Sequence, residues 1–561
     1  MSVNTSVRKL HRIRSIFTSE TAKEKLGLME SLRDASIRKA SLLKLFHGSL
    51  CFIRAFPDDL HHHRLAAELL DDFLPRVRLL DAGERAVLVE TGIEGTLVHY
   101  RYSYAAALWL ARNCAGSVEI DWDELATGDR FDELLRQVVH PCEADYYASG
   151  SVTERQWLEL ARGERKITDF RWLMVQLHRR RAEVGTLSAM YDAADVPLRW
   201  RPDRNFAKGR NAVPTAGIVA RKHGMRKLRG STRDEVERPL RNIFLLEKND
   251  GARAISVAVA SLAARHRETY HFNHANPGEV YAIDVGGGVH ILIYGLLPDY
   301  RFCLETTMGY LIVANGMPVG YGGASAIFNQ ANTGINIFEE YRGSEAPYLW
   351  IQVLRAYHHL FGCNRFVINP FQFGAGNKEA LKSGAFWFYY RLGFRPVEPE
   401  IARLAVAEIA KVKTQQDYRS DTRTLKQLTR CDMHLKLTGA RKSEFFPEDW
   451  LEVCATGASS VLSRQHAVDR RAAARQAAVG LLATLGTEPD RGWSRNERRA
   501  LLLQAPVMSL VGDLEHWSRR EKDALVSLMK AKGGDQERDY ILQLHGHEGL
   551  RLGLTRYCQA V

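Results

Sequence analysis

Two adjacent carboxylates, Glu339 and Glu340, stand just before an Arg342-Gly343-Ser344 turn, and a helix opens at Ala346. A loop entering a helix leaves backbone N–H groups without intrahelical partners, at the positive end of the helix dipole, so this turn is suited to receive a phosphate. The carboxylates lie beside it at the end of a β-branched run. On a strand neighbouring side chains diverge, so only one of the two faces a cleft: Glu339 shares a face with Ile335 and Ile337, Glu340 with Asn336 and Phe338. The sequence does not choose between them, and either also makes a plain surface ion pair with Arg342 or Arg395. His271 and His274, in the segment HFNHANP, carry imidazoles that titrate near neutrality and serve as substrate-side bases or as loop caps. Lys382 offers a point charge to a phosphate and Asn377 lies close by, whereas Arg355, His358 and His359 lie beyond the first turn of the loop-following helix.

The elements that must position these groups are legible in the pattern of apolar residues. A strand over Gly334–Glu339, the turn, a helix, a second strand over Arg365–Asn369 and an aromatic helix ending at Gly393 make a βαβ unit with two parallel strands. Upstream, VYAIDV and VHILIYGLL flank Gly286-Gly287-Gly288 as a hairpin. Val289 opens a strand rather than a helix, which argues against a dinucleotide-binding glycine loop. A second hairpin turns at Asn315-Gly316, the favoured pair for a type I′ turn.

The turn YRGSEA entering a helix, followed after a strand by AFWFYYRLGF, resembles the acyl-CoA-binding half of the GNAT N-acetyltransferase superfamily. The likeness covers residues 272–397, and YYRLGF is its most specific part. It implies a mixed-sheet α/β domain that binds acetyl-CoA or another acyl-CoA and passes the acyl group to an amine by direct attack. It implies that Arg342, Gly343, Ser344 and Ala346 hold the pantetheine-pyrophosphate arm, and that the backbone of a splayed strand at Ile337 and Phe338 holds pantetheine. Asn377 and Lys382 flank the cofactor helix. It further implies that Tyr389 protonates the departing thiolate and that Glu339 or Glu340 meets the incoming amine as base. The aromatic run Phe386–Tyr390 also reads simply as packing. Glu345 stands where the family's loop has a second glycine, and Lys382 where it has an asparagine.

Length and composition bound the rest. With 561 residues, 45% of them apolar, the chain can bury several cores, about three domains' worth. No apolar run reaches the roughly 18 residues of a membrane span. The basic start lacks an apolar h-region and reads as an amphipathic helix rather than a secretory signal. Eight scattered cysteines with no CxxC pair argue against a disulfide framework or zinc ribbon and fit a reducing, cytoplasmic setting. His61, His62 and His63 are consecutive on a helix, diverge, and read as surface histidines rather than a metal site. The net charge of +12 admits an anionic partner: CoA, nucleic acid or a membrane surface.

The expected organisation is an all-α N-terminal region over 1–198, a basic connector over 199–241, the GNAT-like domain over 242–400, and an all-α C-terminal region over 401–561. The connector's Arg221–Arg229 stretch is a solvated linker or a nucleic-acid contact; the linker is preferred because no binding motif accompanies it. In the C-terminal region Ser494 with Glu497 and Ser518 with Glu521 are capping boxes. The expected activity is therefore acyl-CoA-dependent N-acyl transfer to a small-molecule or protein amine. Two alternatives stay open: a non-catalytic scaffold on the same fold, which Glu345 and Lys382 favour, and a transferase using aminoacyl-tRNA.

Overall fold

The computed structural model describes residues 1–561 except 126–128, 181–183, 222–223, 229, 344, 416, 442–443, 466–468 and 489–491. The chain is mixed α/β, 54% helix and 13% strand. Three short strands, β1 (Val98–Tyr100), β2 (Val118–Ile120) and β3 (Leu198–Trp200), form a small antiparallel sheet in the order β1-β3-β2. Ten more follow: β4 (Ile243–Leu245), β5 (Ala275–Gly286), β6 (Val289–Leu296), β7 (Thr306–Ala314), β8 (Met317–Ile327), β9 (Gln330–Thr333), β10 (Asn336–Ile337), β11 (Arg365–Ile368), β12 (Arg395–Pro396) and β13 (Met433–Lys436). They build one large sheet in the order β12-β13-β11-β9-β8-β7-β6-β5-β4, with β10 paired to β8. Every pairing in it is antiparallel except β9 with β11, which is parallel.

Both expected hairpins form. Asn315 and Gly316 join β7 to β8 with φ of 46° and 82°, the left-handed pair a type I′ turn needs. The helix Ala346–Phe361 bridges the two parallel strands and ends at Gly362, which is left-handed at φ 72°. The capping boxes at Ser494 and Ser518 are both made.

Four expectations are corrected. The strand expected over Gly334–Glu339 stops at Thr333. There the chain bends, because the Tyr310 hydroxyl donates to the Gly334 carbonyl at 2.5 Å and Asn336–Ile337 return to pair with β8. Glu339–Tyr341 is a 3-10 turn. Neither flank is all-helical: the N-terminal stretch contains β1 and β2, and the C-terminal region sends β13 between β11 and β12. These segments are three or four residues long, too short to show a two-residue period between helices. The connector is not a free linker: the Arg221 N–H donates to Pro57 O and the Val213 N–H to Gly316 O, so it is laid along the β7–β8 turn. His62 is buried, bonded to Asp59 and to the Ala22 carbonyl, not a surface residue.

The buried apolar side chains form two clusters. One runs without a break from the helices of residues 3–78 through the large sheet to the C-terminal helices, with Phe52 and Phe56 against Tyr341. The other surrounds the small sheet. No described helix is long and apolar enough to cross a membrane.

Candidate functional site

The parallel strands β9 and β11 are in register through Asn332 and Val367 and then part, β9 bending at Gly334 while β11 runs into the 3-10 turn Pro370–Phe373. Parting strands leave backbone groups without ladder partners, and here two tyrosines stand at the opening. Tyr310 donates to Gly334 O, and the phenol of Tyr389 lies near the Ile335 N–H. Gln372 fills the remaining space against Gly334, where a Cβ would lie 2.4 Å from its Oε1. Tyr389 comes from the short helix Ala385–Arg391 and is cased by Trp350, Phe373 and Phe394 at 5.9–6.4 Å between ring centroids. Burial raises its pKa above the usual phenol value, against the small opposite pull of the Ile335 N–H.

Around the loop, Gly343 has φ 80° with open space where a side chain would project. Arg342 is exposed and reaches Glu379 at 3.2 Å, tying the loop to the helix Lys378–Ser383, whose N-terminus the Asn377 side chain caps. Lys382 lies exposed in the last turn of that helix. Ser344 lies outside the described residues. Glu345 is buried and already ion-paired: Arg221 grips it with both terminal nitrogens at 2.6 and 3.1 Å, and the Arg226 N–H donates at 2.7 Å. The anion at the mouth of this loop is therefore the chain's own carboxylate.

Beyond that pair opens a cavity of about 760 Å³ lined by Arg221, Arg226, Lys227, Arg238, Glu235 and Tyr348. The Arg226 guanidinium lies over Tyr348 and close against Gly287, a position any side chain at 287 would occupy. Arg238 is held by Glu235 at 2.7 Å, while Lys227 is exposed. Of the Arg221–Arg229 stretch, Lys222, His223 and Arg229 lie outside the described residues.

The two carboxylates point elsewhere. Glu339 is exposed and meets Lys44 at 3.4 Å. Glu340 is buried, with Arg265 at 2.5 Å and Lys208 at 3.3 Å. Burial alone raises its pKa, but the Arg265 and Lys208 charges win and hold it well below the carboxylate range, leaving a committed anion rather than a base. Phe338 is buried beneath Arg265, and Ile337 pairs with Gly320. His274 stacks on Tyr300 at 3.8 Å. His271 lies against Gly309 and Gly323 with Nδ1 buried and unbonded, and burial lowers its pKa to about 4.

Sequence reasoning missed Arg221 and Arg226 as partners of the loop, Arg265 and Lys208 as partners of Glu340, and Tyr310 at the strand opening. The charge density of the connector was visible; its facing Glu345, across 124 positions, was not. No family description, no curated protein and no solved structure matches the chain.

Proposed function

We propose that the chain is an N-acyltransferase that draws on an acyl-CoA and acylates an amine. The observation that carries this reading is the position of Tyr389: its phenol meets the backbone of Ile335 where the only parallel pair of described strands parts. The resemblance in YYRLGF asks for a phenol beside a splayed strand, and the nearness of Tyr389 to Ile335 supports that reading. The phosphates of the donor fit the cationic cavity of Arg226, Lys227 and Arg238 better than the loop itself, whose anion position Glu345 fills. In the reaction the amine nitrogen bonds to the acyl carbon and gives up a proton to water, the carbon–sulfur bond breaks, and Tyr389 gives its proton to the thiolate and regains one from solvent. Amine-dependent release of free thiol from acetyl-CoA by the full chain tests this; absence of donor binding overturns it.

A second reading has its own observation. The Arg221–Glu345 pair and the 3% exposure of Tyr389 suit a non-catalytic scaffold on the same fold. Donor binding with no turnover for any amine favours that reading.

A further inference from the structure

Where the small sheet meets the end of the helix Lys248–Ala263, two imidazoles share one carboxylate. Glu90 accepts from His99 Nδ1 at 2.7 Å with one oxygen, and its other oxygen pairs with His266 Nε2. In the neutral tautomer whose Nδ1–H donates to Glu90, His99 Nε2 is an acceptor, and it looks toward the Asp121 carboxylate at 3.8 Å, too far for a direct hydrogen bond. Asp121 is 5% exposed. Both groups line a cavity of about 610 Å³ with Tyr100, Glu124, Pro197 and Leu198; Arg101, on its rim, is occupied by the Asp195 and Glu124 carbonyls.

The backbone around this cavity is strained. Six described non-glycine residues have positive φ, and three of them, Glu90 at 70°, Asp195 at 50° and His266 at 53°, belong to this seam. Such residues cost on the order of 1–3 kcal/mol each and persist where the surroundings fix them. Close approach is one cause: a Cβ on Gly92 would lie 2.0 Å from the Ala264 carbonyl, and the Tyr102 hydroxyl donates to Ala263 O at 2.8 Å.

We infer that this cavity binds a primary ammonium with an apolar body, its N–H groups donating to His99 Nε2 and Asp121 and its body lying on Tyr100, Pro197 and Leu198. The two lining carboxylates outnumber the one cation, which is itself engaged. A chain of contacts runs from His266 toward the strand opening: its neighbour Arg267 donates to the Tyr321 hydroxyl at 3.0 Å, and Tyr321 pairs with Asn336, one residue from Ile335. That such an amine is the acyl acceptor rests on the acyltransferase reading; that it binds does not.

Calorimetric titration of the full chain with phenethylamine, against 2-phenylethanol as neutral analogue, tests the site. The amine is expected to bind about tenfold or more tightly than the alcohol. Asp121→Asn and His99→Gln are each expected to remove that preference, the worth of a charge-assisted hydrogen bond. His99 is 39% exposed in its side chain, so its variant keeps the test open should Asp121→Asn not fold. Equal affinity for amine and alcohol, or an unchanged preference in the folded variants, overturns the inference. Acetyl-CoA titrated into the same samples separates the two claims: amine binding without donor binding removes the acyltransferase reading alone, and donor binding without amine binding removes this site alone.

Discussion

Tyr389 brings one hydroxyl into an aromatic casing, near the Ile335 N–H where the parallel strands part. Tyr389→Phe keeps the ring and its packing, so it is expected to change stability in urea denaturation little and to lower thiol release roughly a hundredfold. Tyr390, on the same helix, stacks under Arg395 at 4.2 Å, and Tyr390→Phe keeps that ring. It is the control, expected to leave both quantities nearly unchanged. At this scale the sequence was a partial guide. It pointed to Tyr389 among five aromatic residues through the resemblance that YYRLGF carries, and it left open whether Glu339 or Glu340 faces a cleft. The partners that immobilise Glu340, Lys208 and Arg265, lie far off in the chain, and one-dimensional spacing holds no trace of them.

At the scale of elements, what was legible was what repeats locally. Alternating apolar residues and the Asn-Gly pair gave the hairpins, and the Ser-x-x-Glu spacings gave the capped helices. Long-range pairing was not: β13 enters the sheet between β11 and β12 from beyond two intervening helices, and the connector crosses the chain to close on Glu345. That closure makes an expectation of its own. Arg221 and Glu345 are side chains of 5% and 0% exposure, so Glu345→Gln strands a buried guanidinium and is expected to destabilise the fold by about 3–5 kcal/mol. Replacing both together, Arg221→Met with Glu345→Met, is expected to recover most of that loss, because the desolvation of two charges disappears with them. Denaturation midpoints of the single and double variants decide it: equal losses in both would mean that the pair is not what holds the connector in place.

Over the whole molecule, burial leaves many histidines neutral. Burial lowers the values of His11, His47, His63, His271, His274 and His434 to about 3 or 4, from an ordinary 6.5. The unfolded chain takes up protons at these positions as pH falls through 6.5 while the folded chain does not, so stability is full above that value and is lost below it. Two acids pull the other way: burial raises Glu279 to about 7 and Asp432 to about 6, so their contribution is present at low pH and is lost as pH rises through those values. Six histidines outweigh two carboxyls, and the melting temperature is expected to fall steadily from pH 7 to pH 5. A flat or rising profile would show that the imidazoles are not buried neutral in the folded chain.

One core joins the N-terminal helices, the large sheet and the C-terminal helices, so a test of donor binding uses the intact chain. The most direct measurement is a calorimetric titration of the full-length protein with acetyl-CoA, repeated with Arg226→Ala. Saturable binding of acetyl-CoA, weakened about tenfold or more when the Arg226 guanidinium is removed from the cationic cavity, is the expected result. No binding by the folded parent protein, or equal binding by the variant, would contradict the assignment of that cavity to an acyl-CoA donor.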